Sequence, residues 1–524
     1  MPRFIFIYAC LLTAVFSSCV DSKKEIKGER QPNIIFILSD DLSFRDLSCY
    51  GQENFSTPNL DKLALNGIRF NQAYAGASEC APSRGSFMTG MHMGHCRIRA
   101  NSSARGQDHL LEEDITVAEV LKGAGYTTGF IGKWGIGLPG TAGTPDRQGF
   151  DYAFGYYDQM RAHGYFPDFL IENGDTVILY QNHGFNMDRL YKYNSRTVDK
   201  LDDVKNTYNK NGKLVPDGVA DPEKASYSED LFQEAALKFI NSNKSKPFFL
   251  YYATQLPHGP CITPDLGDYK DKDWPLKNKE WAAMVTHLDR GVGKMVSLLE
   301  ELEILENTII FFAGDNGYSQ WGYFGRPAYQ DDPLFNNRGP WPEGKFSSTH
   351  EGGMRVPFFV YWKGVITPGE SDHITALYDF FPTAAVFAGV ESPGTDELSL
   401  VPILTGKSKK QKNHEYLYWE NGTRTPHAQS TRVGNFWAFR ANPSEPIELF
   451  DLKTDIMCKN NINDQHPDII NRVEKIFAEA HTDNEWYRNP GESDEDWKAK
   501  SAKAEKEGSL QTPTRANTTF KLNK

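Results

Sequence analysis

Asp40 and Asp41 close the run "NIIFILSDD", and Asp315 and Asn316 close "NTIIFFAGDNG". Three carboxylates and one amide oxygen at two such ends are hard donors, suited to Ca²⁺ or Mg²⁺ and not to a soft metal. Basic residues occupy comparable places. Lys133 ends "YTTGFIGKWG", His258 ends "KPFFLYYATQLPHGP", Arg84 lies in "CAPSRGSFMTG" and Lys345 in "EGKFSSTHEGG". An oxygen-ligated cation beside a cationic cluster is chemistry for a phosphate or sulfate ester. Cys80 stands among these groups. Pro82 fits the first turn of a helix, so residues 80–84 fall at a helix N-terminus, which attracts anions. A thiolate there can act as a nucleophile. It is nonetheless a soft partner for a hard cation, and an oxygen nucleophile suits that place better.

A scaffold has to gather groups this far apart in sequence. Asp40 and Asp41, Lys133, His258, and Asp315 with Asn316 each follow a short, continuous apolar run, the pattern of a strand buried on both faces of a parallel sheet. Between them lie helical patterns. "SEDLFQEAALKFINSN" (228–243) sets Leu231, Ala235 and Phe239 four apart, and "WAAMVTHLDRGVGKMVSLLEEL" has similar spacing. Alternating helices and buried strands predict an α/β domain with a mostly parallel central sheet between helices. Functional groups in such sheets collect beyond the carboxyl ends of the strands. All four polar endings lie at that end, which predicts one site.

A chain of 524 residues is too long for one simple core, so two domains or one large elaborated domain are expected. A hydrophobic content of 39% suits a globular fold, and a net charge of -12 argues against a general nucleic-acid binder. Seven cysteines show neither CxxC nor CxxxH spacing, which excludes a disulfide framework and a zinc site. "MPRFIFIYACLLTAVFSSCV" reads as an export signal over residues 1–19, with Cys19 placed as the lipidated residue of a bacterial lipobox; Phe16 replaces the usual leucine. Residues 20–31 form a linker, and no later run is apolar enough to span a membrane. The expected location is the periplasm or cell surface, through a lipid anchor on the outer membrane of a Gram-negative bacterium. After residue 406 the pattern changes. "EYLYWEN", "QSTRVGNFWAFR" and "IELFDLKTD" read as short antiparallel strands, and Ile469, Ile470, Val473, Ile476 and Phe477 form one helical stripe. This gives a catalytic domain over 32–406, a C-terminal subdomain over 407–490 and a charged, extended tail over 491–524.

Cys80-Ala81-Pro82-Ser83-Arg84, followed by Met88-Thr89-Gly90, resembles the C-x-P-S-R modification signal of the formylglycine-dependent sulfatases, in the alkaline-phosphatase-like superfamily. The likeness continues in order through "NIIFILSDDL", "GKWG", "PHGP", "AGDNG", "EGGMRVPFFVYW" and "IELFDLKTD". The resemblance implies that a maturase converts Cys80 to formylglycine. One hydroxyl of its hydrate would attack sulfur and expel the alcohol, and the second would release sulfate. By the same resemblance Asp40, Asp41, Asp315 and Asn316, with residue 80, bind one Ca²⁺. Arg84 holds the formylglycine, Lys133 and Lys345 grip the sulfate, and His258 protonates the leaving oxygen.

The sequence departs from the family pattern in places. The usual G-K-W-H reads Gly132-Lys133-Trp134-Gly135, so the histidine that contacts formylglycine is missing, and His95 is the candidate to replace it. Lys345 lies six residues before Glu351 where five is common, and Ser43, Arg45 and Ser48 stand where glycines are common. "GYYDQMRAHGYFPDFL" offers Arg161 and His163 as sugar contacts, and "FSSTHEGG" offers His350. The expected substrate is a sulfated galactose or N-acetylgalactosamine of a host or algal glycan, a choice composition does not select. Two rivals remain at this level: a two-metal phosphohydrolase of the same superfamily, and a surface lipoprotein that binds sulfated glycan without turnover.

Overall fold

Side chains alternate across every core strand, so each apolar run serves two layers at once. The computed structural model describes residues 31–183, 207–215, 223–259, 261–319, 333–394 and 396–510; residues 1–30, with the export signal and Cys19, lie outside them. A ten-stranded sheet comprises β1 (Asn33–Ser39), β2 (Ile68–Phe70), β3 (Thr127–Lys133), β4 (Tyr152–Tyr156), β5 (Phe169–Glu172), β6 (Asp175–Ile178), β7 (Phe248–Thr254), β8 (Thr308–Gly314), β9 (Phe358–Trp362) and β10 (Gly369–Ser371). Its order is β10-β2-β9-β8-β1-β7-β3-β4-β5-β6. The five central strands, β8 to β4, run parallel. Antiparallel pairing begins at β9 on one side and β5 on the other.

In β1, Ile35 and Ile37 face one layer while Ile34, Phe36 and Leu38 face the other. The first layer holds α1 (Pro58–Leu65), α4 (Ser228–Asn243) and α5 (Leu276–Glu301). The second holds α2 (Cys80–Thr89), α3 (Val117–Gly123) and α6 (Phe380–Ala388). The stripe of α4 is wider than its four-residue spacing predicts. Phe232, Ala235, Ala236, Phe239 and Ile240 are buried, while Leu231 is only partly so. Every strand of the parallel core delivers its last residues to one end of the sheet.

Four antiparallel strands follow, β11 (Leu417–Gly422), β12 (Thr425–Val433), β13 (Phe436–Arg440) and β14 (Glu448–Asp451), paired in sequence order. One face packs Trp419 and Trp437 against Tyr74 and Met354, and the other packs Val473, Ile476 and Phe477 of α7 (Pro467–Glu479). The residues from Gln31 onward form one compact unit. Polar bonds explain why. Trp419 Nε1 donates to the Ala75 carbonyl (3.0 Å), Trp437 Nε1 to that of Thr349 (2.8 Å), and the Thr423 N–H to Glu79 Oε1 (2.5 Å), beside Cys80.

The described part of the tail departs from the extended reading, while residues 511–524 lie outside the described residues. Asp494–Lys506 form helix α8, which a capping box between Ser493 and Asp496 starts. Lys500 anchors it by donating to the Asn484 (3.0 Å) and Tyr487 (2.7 Å) carbonyls. The low apolar content that suggested an extended chain is met by local capping, with little burial beyond Ala504.

Arg99 ties the catalytic layer to the C-terminal sheet. Its Nη1 donates to Glu420 Oε1 (2.6 Å), and both residues are buried. Arg99→Ala leaves that carboxylate without its guanidinium, and a loss of about 3–5 kcal/mol in chemical denaturation is expected. A loss below about 1 kcal/mol would mean that His481 and Tyr418, the other donors to Glu420, carry the site alone.

Candidate active site

Asp40 and Asp41 follow β1 and Asp315 and Asn316 follow β8, which pair in register, so the four groups meet at one end of the sheet. The Asp41 N–H donates to Asp315 Oδ1 (3.1 Å), and Asp41 takes a positive φ of 60° that turns the chain away from the strand direction. Asn316 Nδ2 donates to Asp41 Oδ1 (2.8 Å), while Asn316 Oδ1 is buried without a hydrogen-bond partner among the described residues. Such an oxygen among carboxylates is what a hard cation would use, so the residues fit a Ca²⁺ or Mg²⁺ ion. Ligand atoms of Asp40, Asp41, Cys80 and His258 lie within 4.8 Å of one another, a grouping that does not include Asp315.

Three cations face the three carboxylates, and all six residues are buried. Arg84 uses Nε (3.2 Å) and Nη2 (2.9 Å) on Asp315 Oδ2, and its Nη1 donates to the Lys133 carbonyl (2.5 Å). Lys133 Nζ donates to Asp40. Lys345 Nζ donates to Asp41 Oδ1 (2.5 Å) and lies 3.1 Å from Cys80 Sγ. Burial alone would raise the Asp40 carboxyl, but Lys133, His258, Arg84 and Lys345 hold it well below the usual carboxylate range. Burial and the Asp40 charge instead push Asp315 up to about 7, against Arg84 and Lys133.

Cys80 begins α2 with no exposed surface, its Sγ 3.2 Å from Asp40 Oδ1. Burial, then the Asp40 charge, push its thiol far above the usual range, so the free side chain is a thiol and a weak nucleophile. Among the described residues no cysteine is in a disulfide.

His258 lies 3.5 Å from Asp41 Oδ2 through Nε2, and its Nδ1 is 2.5 Å from the Gly259 carbonyl. A carbonyl only accepts, so Nδ1 carries the proton and the lone pair of the neutral ring is on Nε2. Burial holds the ring well below 6.5, with Asp40 opposing. His163 stacks on it at 4.1 Å and 15°, which places this predicted contact beside the cluster. Arg161 pairs with Asp168 and covers the Phe169 ring at 3.9 Å. His350 contacts Thr349 Oγ1 (3.0 Å) and packs on Phe439.

His95 is not where its proposed role requires. It pairs with Asp396 (2.8 Å) and stacks on His92 at 4.2 Å, in a separate cluster. That cluster is a poor metal site, because His92 Nδ1 accepts the Gly94 N–H (3.2 Å) and so leaves the proton on Nε2, toward Asp396.

Two positioning residues escaped the sequence reading. The Tyr165 hydroxyl lies 3.0 Å from the Gln255 carbonyl and 2.6 Å from that of His258, and Glu229 Oε1 accepts the Gln255 N–H (2.7 Å). Both hold the loop that delivers His258. A tyrosine in an aromatic-rich loop and a glutamate in the first turn of a helix carry no spacing signal.

Buried oxygen donors, a cationic clamp and a helix N-terminus at the ends of a parallel sheet define a hydrolase of anionic esters. Residues 32–390 match the family described as Sulfatase, and the chain belongs to it. The chain is 28% identical to the N-acetylgalactosamine-6-O-sulfatase of Bacteroides thetaiotaomicron, over 90% of this chain and 97% of that protein. It is 31% identical to arylsulfatase A of Homo sapiens, over 74% of this chain and 71% of that one. The crystal structure of Ps i-CgsB superposes with a TM-score of 0.67 at 26% identity, over 92% of this chain and 100% of that one. The phosphonate monoester hydrolase of Agrobacterium radiobacter, at 17% identity and a TM-score of 0.57, shares the fold alone. The fold is alkaline-phosphatase-like, and the enzyme is a sulfuric ester hydrolase.

Glu229 supplies a pH test of the His258 loop. Burial raises its carboxyl from 4.5 to about 7 against the bonds it accepts. Because the native value lies above the unfolded one, its contribution to stability is complete below about pH 4.5 and is lost as pH rises through about 7. Glu229→Gln should therefore gain on the wild type between pH 5 and pH 8, by roughly 3 kcal/mol in urea unfolding. A constant difference across that range would contradict the assignment.

Proposed function

We propose that this sulfatase removes sulfate from a carbohydrate, using formylglycine derived from Cys80 and one Ca²⁺ held by Asp40, Asp41, Asp315 and Asn316. The observation that carries the reading is the seat of Cys80, at a helix N-terminus between Asp40 Oδ1 (3.2 Å) and Lys345 Nζ (3.1 Å). A thiol is the wrong group there, and formylglycine would supply the hard oxygen nucleophile that the donor set favours. Ca²⁺, when bound, would contribute Lewis acidity and charge at the reacting centre.

The remaining roles fall to the chain's own groups. Arg84, clasped on Asp315, would hold the formylglycine. Lys133 and Lys345 turn their ammonium groups to the sulfate oxygens. His258, anchored through Nδ1, faces the site with the lone pair of Nε2, which must first take up a proton from solvent before it can pass one to the departing oxygen. Of the sugar-contact candidates, His163 has the strongest support, because its ring lies on that of His258; Arg161 and His350 are proposed as more distant contacts. A galactose or N-acetylgalactosamine unit agrees with the N-acetylgalactosamine-6-O-sulfatase relative and with Ps i-CgsB, which was solved with k-i-k-neocarrahexaose.

We place the catalytic domain at 32–406 and its supporting subdomain at 407–490. A signal over residues 1–19, lipidation at Cys19 and modification of Cys80 by a maturase complete the proposal. No helix among the described residues is long and apolar enough to cross a membrane, so attachment to the outer membrane would rest on the lipid.

Mass spectrometry of the peptide bearing residue 80, from protein matured in its own host, should show formylglycine. Cys80→Ala should lower turnover of a sulfated monosaccharide by at least about 1000-fold. Chelation should abolish turnover, and added Ca²⁺ should restore it. An unmodified cysteine in fully active protein would refute the nucleophile, and turnover indifferent to chelation would refute the ligand set.

A further inference from the structure

Gly135 has a φ of +79°, in the left-handed region that glycine enters without strain. A side chain there would begin 2.4 Å from Gln159 Oε1 and 3.6 Å from Gln159 Cδ. The volume that a histidine at 135 would enter is therefore filled by the Gln159 carboxamide.

Local structure holds that carboxamide at the reacting end of the sheet. β3 and β4 are parallel neighbours with Lys133 opposite Tyr156, so Gly135 and Gln159 lie two and three residues beyond the same strand ends. The Gly135 N–H donates to the Tyr157 carbonyl (3.3 Å), and the Gln159 N–H to Gln107 Oε1 (2.9 Å). Gln159 is 2% exposed, yet neither Nε2 nor Oε1 has a hydrogen-bond partner among the described residues. Two unsatisfied groups on one buried amide are costly unless a ligand pairs with them. Lys133, whose ammonium sits on Asp40, is two residues from Gly135.

We propose that Gln159 is a catalytic-site residue whose carboxamide hydrogen-bonds an oxygen of the reacting centre, of the sulfate or of the group at residue 80, in place of a side chain at 135. This rests on the strand-end cluster being where the sulfate ester reacts. The amide offers N–H donors and an acceptor oxygen within the same volume, but it does not titrate near neutral pH as an imidazole does. This enzyme can then orient an oxygen at that point but cannot exchange a proton there.

The test uses Gln159→Leu, which keeps the volume, and Gln159→His, which restores hydrogen bonding. Both are measured in the full-length matured enzyme with an aryl sulfate. Gln159→Leu should lower kcat/KM by about 10- to 100-fold with the melting temperature unchanged. Gln159→His should recover part of that loss and add a pH dependence near the imidazole range. Calorimetry with inorganic sulfate and Cys80→Ala protein separates the two sources of the oxygen. Weaker sulfate binding on adding Gln159→Leu assigns the amide to the sulfate, and unchanged binding with a lowered kcat assigns it to residue 80. Full kcat/KM in Gln159→Leu would overturn the proposal, as would a loss that follows the melting temperature and that histidine does not rescue. Full activity in Cys80→Ala would instead overturn the location of the reacting centre, so the two failures are distinct.

Discussion

Three carboxylates and three cations share one water-poor space, and the rest of the molecule is arranged to make that tolerable. Charges moved out of water are severely penalised unless each is paired and hydrogen-bonded. Here Arg84 meets Asp315 in a two-donor clasp, Lys133 meets Asp40 and Lys345 meets Asp41. The set is close to neutral by itself. A bound dication would leave it positive, and the single negative charge of a sulfate ester would offset part of that excess. Ligand attraction can therefore arise from an excess created at the ion, in a protein whose overall charge is -12.

Holding six such groups in register requires rigid donors from every side. β1 and β8 contribute the acids, β3 contributes Lys133 and the turn after β7 contributes His258. Lys345 arrives from outside the sheet, on a loop whose backbone bonds the Tyr318 (2.7 Å) and Ser78 (2.9 Å) carbonyls at positions 345 and 346. The C-terminal sheet braces this loop and the start of α2, through Trp437 on Thr349 and the Thr423 N–H on Glu79. It contributes no group to the cluster, but it fixes two of the segments that do.

Much of this was legible in the sequence because the core strands are buried on both faces. A run such as "NIIFIL" leaves few alternatives, and its polar ending marks the carboxyl end. The residues the structure brings together at that end are those the strand endings named, with Cys80, Arg84 and Lys345. What stayed hidden depends on contacts between segments without a period. Gln159 matters because of Gly135, Tyr165 because of the loop before His258, and no spacing rule links either pair. His95 does not take the role suggested for it, because Asp396 claims its ring, a pairing across 301 positions that no spacing in the sequence marks. The tail was misread because its helix relies on the Ser493–Asp496 cap and on Lys500, not on an apolar stripe.

Cys80 has no exposed surface, and every residue of α2 is buried with it. A modifying enzyme would need several residues on each side of the cysteine in its own cleft, and the folded protein offers none of them. Under the reading proposed above, the chemistry on residue 80 must be finished while the chain is still open. The order of events in biogenesis is thus set by packing: a molecule that closes its core too early would be stable, correctly shaped and permanently without its nucleophile.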